Sequence, residues 1–293
     1  MIMSYTYVLN SIPEFRDPKR IYRVLRPGHL GAGMFSYIWV VLQSIYEHPN
    51  EKYYIDWNKF TPYYDPEKIK HTDNVWEYYF EQPDIKTMPS WDEIIDVGIW
   101  NGNISSAYCH LSDVDEQKRV KYAEIINRYV KPLPHIGDKI KSFEDKHSLK
   151  NKRVLGVHCR GVSGAFDGAH LTTKEFYTSQ VSELEKDYDV IFVISDEFSY
   201  IEYLSKKFGS KIVFYEDAVR ETLDRKDMIL LPGDDHKLKN KYKQGEDVII
   251  DAFLLSNASF IICPYSNVST FSHFVNPKSK YLDVDIKLGH VRK

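Results

Sequence analysis

Cysteine is scarce in this sequence. Three cysteines, Cys109, Cys159 and Cys263, occur in 293 residues, and they form no CxxC pair and no evenly spaced set. Small secreted proteins that depend on disulfides carry an even number of closely spaced cysteines, so this class is excluded. We therefore expect reduced thiols and a cytoplasmic protein.

Long apolar runs and leader-like segments are also missing. The longest apolar run, near residues 37–42, is far too short to span a bilayer. Residues 1–5 contain no charged segment followed by an apolar one, so we expect neither a leader nor a membrane anchor. No internal repeat or low-complexity segment is present.

Excess positive charge is absent. Lysine and arginine total 39 against 42 aspartate and glutamate residues, which gives a formal net charge of -3. Nucleic-acid binding proteins present basic patches to the phosphate backbone, and no basic run occurs here. The balance predicts a protein without a nucleic-acid partner.

The composition is that of a globular protein. Hydrophobic residues make up 43% and charged residues 28%, and 293 residues suffice for two domains of ordinary size. Aromatic residues reach 14%, including 22 tyrosines. Aromatic rings often line sugar-binding clefts, although tyrosine is also common in strands and on surfaces.

The first structural unit predicted is a strand, a glycine turn and a helix. Residues 20–25 are typical of a strand, residues 27–33 break it, and residues 34–46 have the spacing of a helix. This is the opening unit of a Rossmann-like domain, but it lacks both GxGxxG and a P-loop lysine. Gly31 and Gly33 are candidates for a loop that contacts donor or acceptor; a tight turn without a ligand explains them equally well.

The remaining elements predict two α/β domains. In the first half we expect a strand at 53–57, mixed signals at 91–101, and helices at 114–129 and 136–147. In the second half, buried strands at 154–158, 190–194 and 211–215 alternate with helices at 173–186 and 198–208, the pattern of a parallel sheet. The polar stretch 148–152 separates residues 1–148 from residues 149–293. Residues 217–245 read as a charged surface loop or lid.

Residues 246–277 organise the second domain. Residues 247–257 predict a buried helix in which Asp251 is the one costly carboxylate. A strand at 260–263 then meets a Ser/Asn-rich turn and a helix from 269 onward. Because free N–H groups and a positive dipole end lie at a helix N-terminus, residues 266–269 predict a phosphate site. A hydrogen-bond acceptor for a base, at Asp251, followed by hydrogen-bond donors for phosphates, at residues 266–269, is what a nucleotide needs.

Two further loops follow buried strands, where ligands collect in such sheets. The first contains His158 and Arg160, and the second contains Asp196. A planar guanidinium at Arg160 suits a diphosphate, with a structural salt bridge to Asp196 or Glu197 as the alternative. His158 could contact a base or a ribose, or could simply hold a core hydrogen bond.

These motifs together resemble the fucosyltransferases of the α-1,2/α-1,6/protein-O-fucosyl superfamily. The resemblance is greatest to bacterial nodulation and surface-glycan members, and it covers the second half well and the first half thinly. The residues that carry it are His158, Arg160, Ser195, Asp196, Gly245, Glu246, Asp247, Val248, Asp251, Leu255, Ser256, Ser266, Asn267, Val268, Ser269, Asn276 and Pro277, with residues 74–80 in the first half.

The resemblance implies a GT-B fold, in which two Rossmann-like domains face a cleft, and an inverting sugar transfer without a metal. It implies that Arg160 binds the β-phosphate of the donor and that His158 and Asp251 contact guanine. It further implies that Ser266, Asn267, Val268 and Ser269 surround the pyrophosphate. The partners would be a nucleotide-sugar donor and a glycan acceptor.

Donor chemistry agrees in part with this expectation. Guanine offers N1–H and an exocyclic amine on one edge, so the Asp251 carboxylate could accept both; uracil offers a single N3–H. No Asp-x-Asp motif is placed for a metal, so Arg160 and a helix N-terminus would carry the charge of the leaving diphosphate. The acceptor hydroxyl needs a general base, for which Asp167 is the candidate, with Glu81 and His170 as weaker rivals.

One departure leaves the donor open. Relatives carry a second basic residue and then Asp-Lys after the motif arginine, whereas this sequence has Gly161, Val162, Ser163 and Gly164. We therefore expect an L-fucosyl transferase that uses GDP-fucose, and keep a UDP-pentose (xylosyl) transferase as the alternative. A non-catalytic module that binds a glycan or a nucleotide is the alternative of another class. The sequence does not determine the acceptor, the linkage or the oligomeric state.

Overall fold

The computed structural model describes residues 21–25, 33–57, 59, 61, 63–90, 93–97, 111–161, 172–220 and 240–289. Its named strands form two sheets, and every strand pair within them is parallel. Within these ranges no helix is both long enough and apolar enough to cross a membrane. The α/β class is confirmed, and so is the parallel sheet that the alternating pattern predicts for the second half.

The first sheet has three strands in the order β2-β1-β3. The strands are β1 (Ile21–Leu25), β2 (Lys52–Asp56) and β3 (Ile94–Val97). Helix α1 (Met34–Glu47) follows β1, as the strand–turn–helix pattern predicts. Strand β3 lies within the stretch of mixed signals at 91–101, and its pairing with β1 completes the sheet.

Side chains cover the outer edge of β2. The N–H of Ile55 donates to Gln82 Oε1 (3.0 Å), Gln82 Nε2 donates back to the carbonyl of Ile55 (2.7 Å), and the N–H of Trp57 donates to Asn74 Oδ1 (2.9 Å). An uncovered edge would leave backbone groups unpaired. The short 3-10 helix Val75–Tyr78 between these polar residues is largely buried, so the aromatic stretch 74–83 belongs to the core of the first half.

Two helices link the sheets. They are α2 (Glu116–Tyr129), which Asp115 caps by accepting from the N–H of Lys118 (2.7 Å), and α3 (Pro134–His147), which begins on a proline. Both agree with the predicted helices. Ser148 ends α3 with φ 54°, in the left-handed region, and the chain then enters the second sheet. The division at residue 148 stays a prediction, because apolar residues of both halves form one continuous core.

The second sheet has five strands in the order β6-β5-β4-β7-β8. The strands are β4 (Val154–Cys159), β5 (Val190–Ser195), β6 (Ile212–Val213), β7 (Phe260–Cys263) and β8 (Lys280–Asp283). The helices of this half are α4 (Lys174–Leu184), α5 (Phe198–Phe208), α6 (Lys241–Leu255), α7 (Asn267–Val275) and the single turn α8 (Val284–Lys287).

Alternation along β4 separates two apolar layers. Leu155 and Val157 pack with residues of α4 and α5 in one cluster, while Val154 belongs to the other cluster with residues of α6. A Cβ on Gly156 would lie 2.7 Å from Leu255 Cδ1, so glycine permits the close approach of α6 to the sheet. His158, two residues after Gly156, faces the α6 side as well.

Several predicted boundaries are wrong, and helix α7, predicted from residue 269, begins at Asn267. Strand β6 covers only Ile212–Val213 of the predicted 211–215, and helix α6 begins at Lys241 rather than at 247. The first turns of α6 are polar and carry little apolar periodicity, but they dock on the first half, where the Tyr79 hydroxyl donates to the carbonyl of Tyr242 (3.1 Å). The predicted loop 217–245 is therefore helical from 241, and residues 221–239 lie outside the described ranges.

Aromatic contacts join the two halves. The rings of Phe35 in α1 and Phe271 in α7 are 4.9 Å apart, and Tyr122 of α2 lies at the same distance from Phe274 of α7. Rings at such distances stabilise beyond the area that they bury. The contacts hold the N-terminus of α1 beside the N-terminus of α7.

Candidate functional site

The strand order of the second sheet reverses direction between β4 and β7. From β4 the chain moves outward to β5 and β6, and from β7 it moves the other way to β8. In open parallel sheets such a point leaves a crevice at the carboxyl ends of the strands, where ligands bind. We call this the β4–β7 crevice. Arg160 follows β4 at its edge, and Tyr265 follows β7.

Arg160 reaches across the β4–β7 crevice. Its Nη1 donates to the carbonyl oxygen of Tyr265 (3.2 Å), and its side chain is half-buried. A guanidinium carries five N–H donors in a fixed plane, which suits the oxygens of a diphosphate. The structure therefore places the predicted phosphate-binding arginine at the point that the sheet topology selects.

His158 lies beneath Arg160 as a neutral imidazole. Its Nδ1 is 2.6 Å from Ser269 Oγ, and the residue is 7% exposed. Burial, together with the positive charges of Arg160 and Arg220, lowers the pKa of His158 to about 4 against the opposing effect of Asp196. At neutral pH the ring is uncharged, so it can form directional hydrogen bonds without adding positive charge.

Helix α7 directs its N-terminus at the same place. Ser266 caps it by accepting from the N–H of Val268 (3.3 Å), and the N–H of Thr270 donates to the carbonyl of Ser266 (3.0 Å). No acidic side chain occupies the first turn. No negative side chain in this turn therefore neutralises the positive end of the helix dipole, which leaves it available to a phosphate.

The N-terminus of α1 adjoins that of α7. Asn267 Nδ2 donates to Ser36 Oγ in the first turn of α1 (2.8 Å), and Gly33 is the N-cap of α1 without a side-chain cap. Among the described residues, none places a heavy atom within 4 Å of a Cβ built on Gly33. Gly31, the other predicted loop glycine, lies outside the described residues.

Asp196 binds the backbone beside Arg160. Its Oδ1 accepts from the N–H of Gly161 (2.6 Å). A Cβ on Gly161 would lie 2.6 Å from the Cβ of Glu197, so glycine is needed for the loops after β4 and β5 to approach this closely. Asp196 thus orients the segment that carries Arg160.

Asp251 is paired with an arginine that the sequence did not reveal. Arg220 Nη1 and Nη2 donate to its two carboxylate oxygens (2.8 and 3.0 Å), and the two side chains are 6% and 9% exposed. Burial raises the pKa of Asp251, and the pairing with Arg220 counteracts this. Burial opposes the charge of Arg220, but the Asp251 carboxylate outweighs it and raises the pKa of Arg220.

The sequence signalled the need for a partner but not its identity. A lone acid among apolar residues requires a cation or hydrogen bonds, and the charged segment 217–245 contains seven lysines and arginines. Only the fold, which brings the turn after β6 against α6, selects Arg220 among them.

The predicted general base is not described. Asp167, and its weaker rival His170, lie in a segment outside the described residues. Glu81, the other rival, is exposed on the first half, where its N–H donates to the carbonyl of Lys131 (2.9 Å). The base therefore stays a prediction.

A cavity of about 550 Å³ lies away from the β4–β7 crevice. It is lined by α3 and the turn after β6, namely by Asp138, Lys139, Ser142, Phe143, Lys146, Tyr215, Glu216 and Asp217. Lys146 Nζ and Glu216 Oε1 are paired across it (3.1 Å). None of the predicted site residues lines this cavity.

Comparison with solved structures identifies the fold. No protein-family description and no curated protein sequence matches this chain. Among solved structures, the fucosyltransferase NodZ from Bradyrhizobium superposes with a TM-score of 0.50 at 11% identity, over 92% of this chain and 96% of that one. The chain has the GT-B fold. This confirms the predicted architecture of parallel Rossmann-like halves.

Two other solved structures are similar at lower scores. NodZ α-1,6-fucosyltransferase soaked with GDP-fucose has a TM-score of 0.47 at 14% identity, over 88% of this chain and 93% of that one. A variant of FUT1 from Arabidopsis thaliana in complex with GDP has a TM-score of 0.47 at 10% identity, over 87% of this chain and 68% of that one.

Proposed function

We propose that this chain is a glycosyltransferase that moves L-fucose from GDP-fucose onto a hydroxyl group of a glycan, with inversion and without a metal. The observation that carries the proposal is the β4–β7 crevice, where Arg160 and the capped N-terminus of α7 meet at the carboxyl edge of the second sheet. The similarity to the fucosyltransferase NodZ supports a fucosyl donor.

Arg160 and α7 suit the charge that develops during transfer. The acceptor hydroxyl attacks the anomeric carbon, the bond from that carbon to the β-phosphate oxygen breaks, and negative charge grows on the diphosphate. A guanidinium and backbone N–H groups that are already positioned stabilise this charge without reorganisation. Tyr265 contributes by holding Arg160 in place through its carbonyl.

His158 suits donor binding better than proton transfer. A general base works best when its pKa lies near the working pH, and the pKa of His158 is about 4. The hydroxyl proton therefore needs another acceptor, and Asp167 remains our proposal for it.

The thiols of Cys159 and Cys263 are buried and unpaired, which supports our placing of the enzyme in the reducing cytoplasm.

Release of GDP from GDP-fucose in the presence of a glycan acceptor tests the role of Arg160. We expect Arg160→Ala to lower the turnover about 10²- to 10³-fold, as loss of a positioned donor to a developing anion does. Arg153→Ala, at the opposite end of β4 and exposed, is the control and should keep the wild-type rate. Wild-type turnover in Arg160→Ala would contradict the assignment of Arg160. If the wild-type protein binds a glycan but neither it nor any variant releases GDP, the non-catalytic alternative is favoured.

The same assay examines the proposed base. Asp167→Asn should lose transfer while it keeps the wild-type affinity for GDP, because the base acts on the acceptor and not on the nucleotide. Unchanged transfer would remove Asp167 from the mechanism. Turnover with UDP-xylose in place of GDP-fucose would keep the site and change the donor.

A further inference from the structure

One stripe of helix α6 holds the turn that follows β6. Lys243, Asp247 and Asp251 are spaced four residues apart, so they lie on one face of the helix. Lys243 Nζ donates to the carbonyl of Asp217 (2.9 Å), and the N–H of Val219 donates to Asp247 Oδ2 (2.9 Å). With the Arg220–Asp251 pair, each residue of the stripe binds the turn.

Arg220 binds both carboxylate oxygens of Asp251 in a fork. Its Nη groups donate to both carboxylate oxygens, and also to the carbonyls of Ser195 (2.5 Å) and Tyr215 (3.4 Å). Of five N–H donors only Nε remains without a partner, and it is buried. A nucleobase cannot reach Asp251 while Arg220 stays in this position.

The contacts that hold the Arg220 side chain are polar. The turn that carries it is at the surface, since Val219 is 48% exposed and Glu216 and Asp217 are exposed as well. Its contacts to α6 named above are hydrogen bonds and ion pairs, which water and a ligand can replace.

Guanine presents the same pair of donors as Arg220. In both, two N–H groups flank one carbon and point in parallel, the geometry that a carboxylate accepts in a fork. Uracil has one N–H between two carbonyl groups and cannot replace a fork of two donors. Resting on the proposed function, we propose that Arg220 determines donor affinity: it occupies the guanine position on Asp251, and the base of the donor displaces it.

Competition of this kind lowers the apparent affinity for GDP. Only the fraction of molecules in which Asp251 is free can bind the base. The measured Kd therefore equals the intrinsic Kd divided by that fraction. Removing the competitor should therefore tighten binding, although it removes a stabilising ion pair from the nucleotide-free protein. A residue that only supports the fold would have the opposite effect on affinity.

Isothermal titration of the protein with GDP and with UDP tests this. We expect Arg220→Ala to bind GDP about tenfold more tightly than wild type, within the usual range of coupling between competing contacts. Asp247→Ala releases the turn but leaves the Arg220–Asp251 pair, so it should tighten GDP binding by a smaller factor. Asp251→Asn should lose GDP binding, and the Kd for UDP should not change in Arg220→Ala.

The exposed pair of Arg153 and Asp189 provides the matched control, and Arg153→Ala should bind GDP as wild type does. Suppose that wild type binds GDP and that both Arg220→Ala and Asp247→Ala bind it with equal or lower affinity. That result would overturn the inference and leave the proposed function standing. Failure of GDP to bind wild type and all variants would overturn both. If Arg220→Ala does not fold, Asp247→Ala alone decides.

Discussion

At the scale of the residue, His158 shows how the crevice controls protonation. Burial and the guanidinium groups of Arg160 and Arg220 lower its pKa to about 4, against the opposing carboxylate of Asp196. In the unfolded chain the ring titrates near its ordinary value of about 6.5. The native state therefore binds this proton only at lower pH, and the stability that the neutral ring contributes is complete above about pH 6.5 and is lost as the pH falls toward 4.

We predict a smaller acid sensitivity in His158→Gln. Between pH 7 and pH 4.5 the wild-type free energy of unfolding should fall by about 2.4 kcal/mol through this group alone. Urea unfolding at both pH values measures the difference, with His71→Gln, at an exposed histidine, as the control. An equal fall in wild type and His158→Gln would contradict the assigned protonation state.

Some site residues could be predicted from the sequence, and others could not. The sequence identified Arg160, His158 and Ser266 as site residues from strand ends and helix starts, and the fold brings them to one crevice. It recognised that Asp251 needs a partner but could not select Arg220, because that choice depends on where the turn after β6 lies.

At the scale of the element, helix α6 joins the halves through its first turns. Tyr79 stacks on Tyr242 with ring centroids 5.3 Å apart, and Lys139 Nζ is 2.7 Å from Glu246 Oε2. A Cβ on Gly245 would overlap the phenol ring of Tyr79, which is fully buried. Glycine at 245 is therefore required by the close approach of helix and ring rather than by its own backbone conformation.

The substitutions Gly245→Ala and Gly137→Ala should have opposite effects. Both glycines lie in helices, but a Cβ on Gly137 in α3 would meet no heavy atom of the described part of the chain within 4 Å. We predict that Gly137→Ala raises the free energy of unfolding by about 1 kcal/mol through helix propensity. Gly245→Ala should lower it by about 1–3 kcal/mol, because it overfills a packed contact. Chemical denaturation measures both, and changes of the same sign would contradict the packing described here.

The start of α6 explains one wrong boundary. Residues 241–246 read Lys-Tyr-Lys-Gln-Gly-Glu, which offers little apolar periodicity and contains a poor helix former. Their helical state depends on partners distant in sequence, such as His135, whose Nε2 lies 2.7 Å from the Tyr242 hydroxyl. Strand β6 was predicted too long for the related reason that apolar residues continue after its pairing with β5 ends.

At the scale of the whole molecule, alternation of strand and helix predicted a parallel sheet in the second half. The pattern could not give the strand order β6-β5-β4-β7-β8, because pairing between strands distant in sequence leaves no periodic signal. That order matters for function, since it places the crevice between β4 and β7. The contact of α1 with α7 was also beyond prediction, although the glycine turn and the Ser/Asn turn were each recognised.

Thermal unfolding with GDP, UDP or ADP, each with and without EDTA, shows which nucleotide the chain binds and whether binding needs a metal. A nucleotide at about 100 times its Kd stabilises the native state by about 2.7 kcal/mol, which corresponds to a rise in Tm of about 4–5 °C for a chain of this size. We expect such a rise with GDP alone, unchanged by EDTA. A rise with UDP and none with GDP, or a GDP effect that EDTA abolishes, would contradict it.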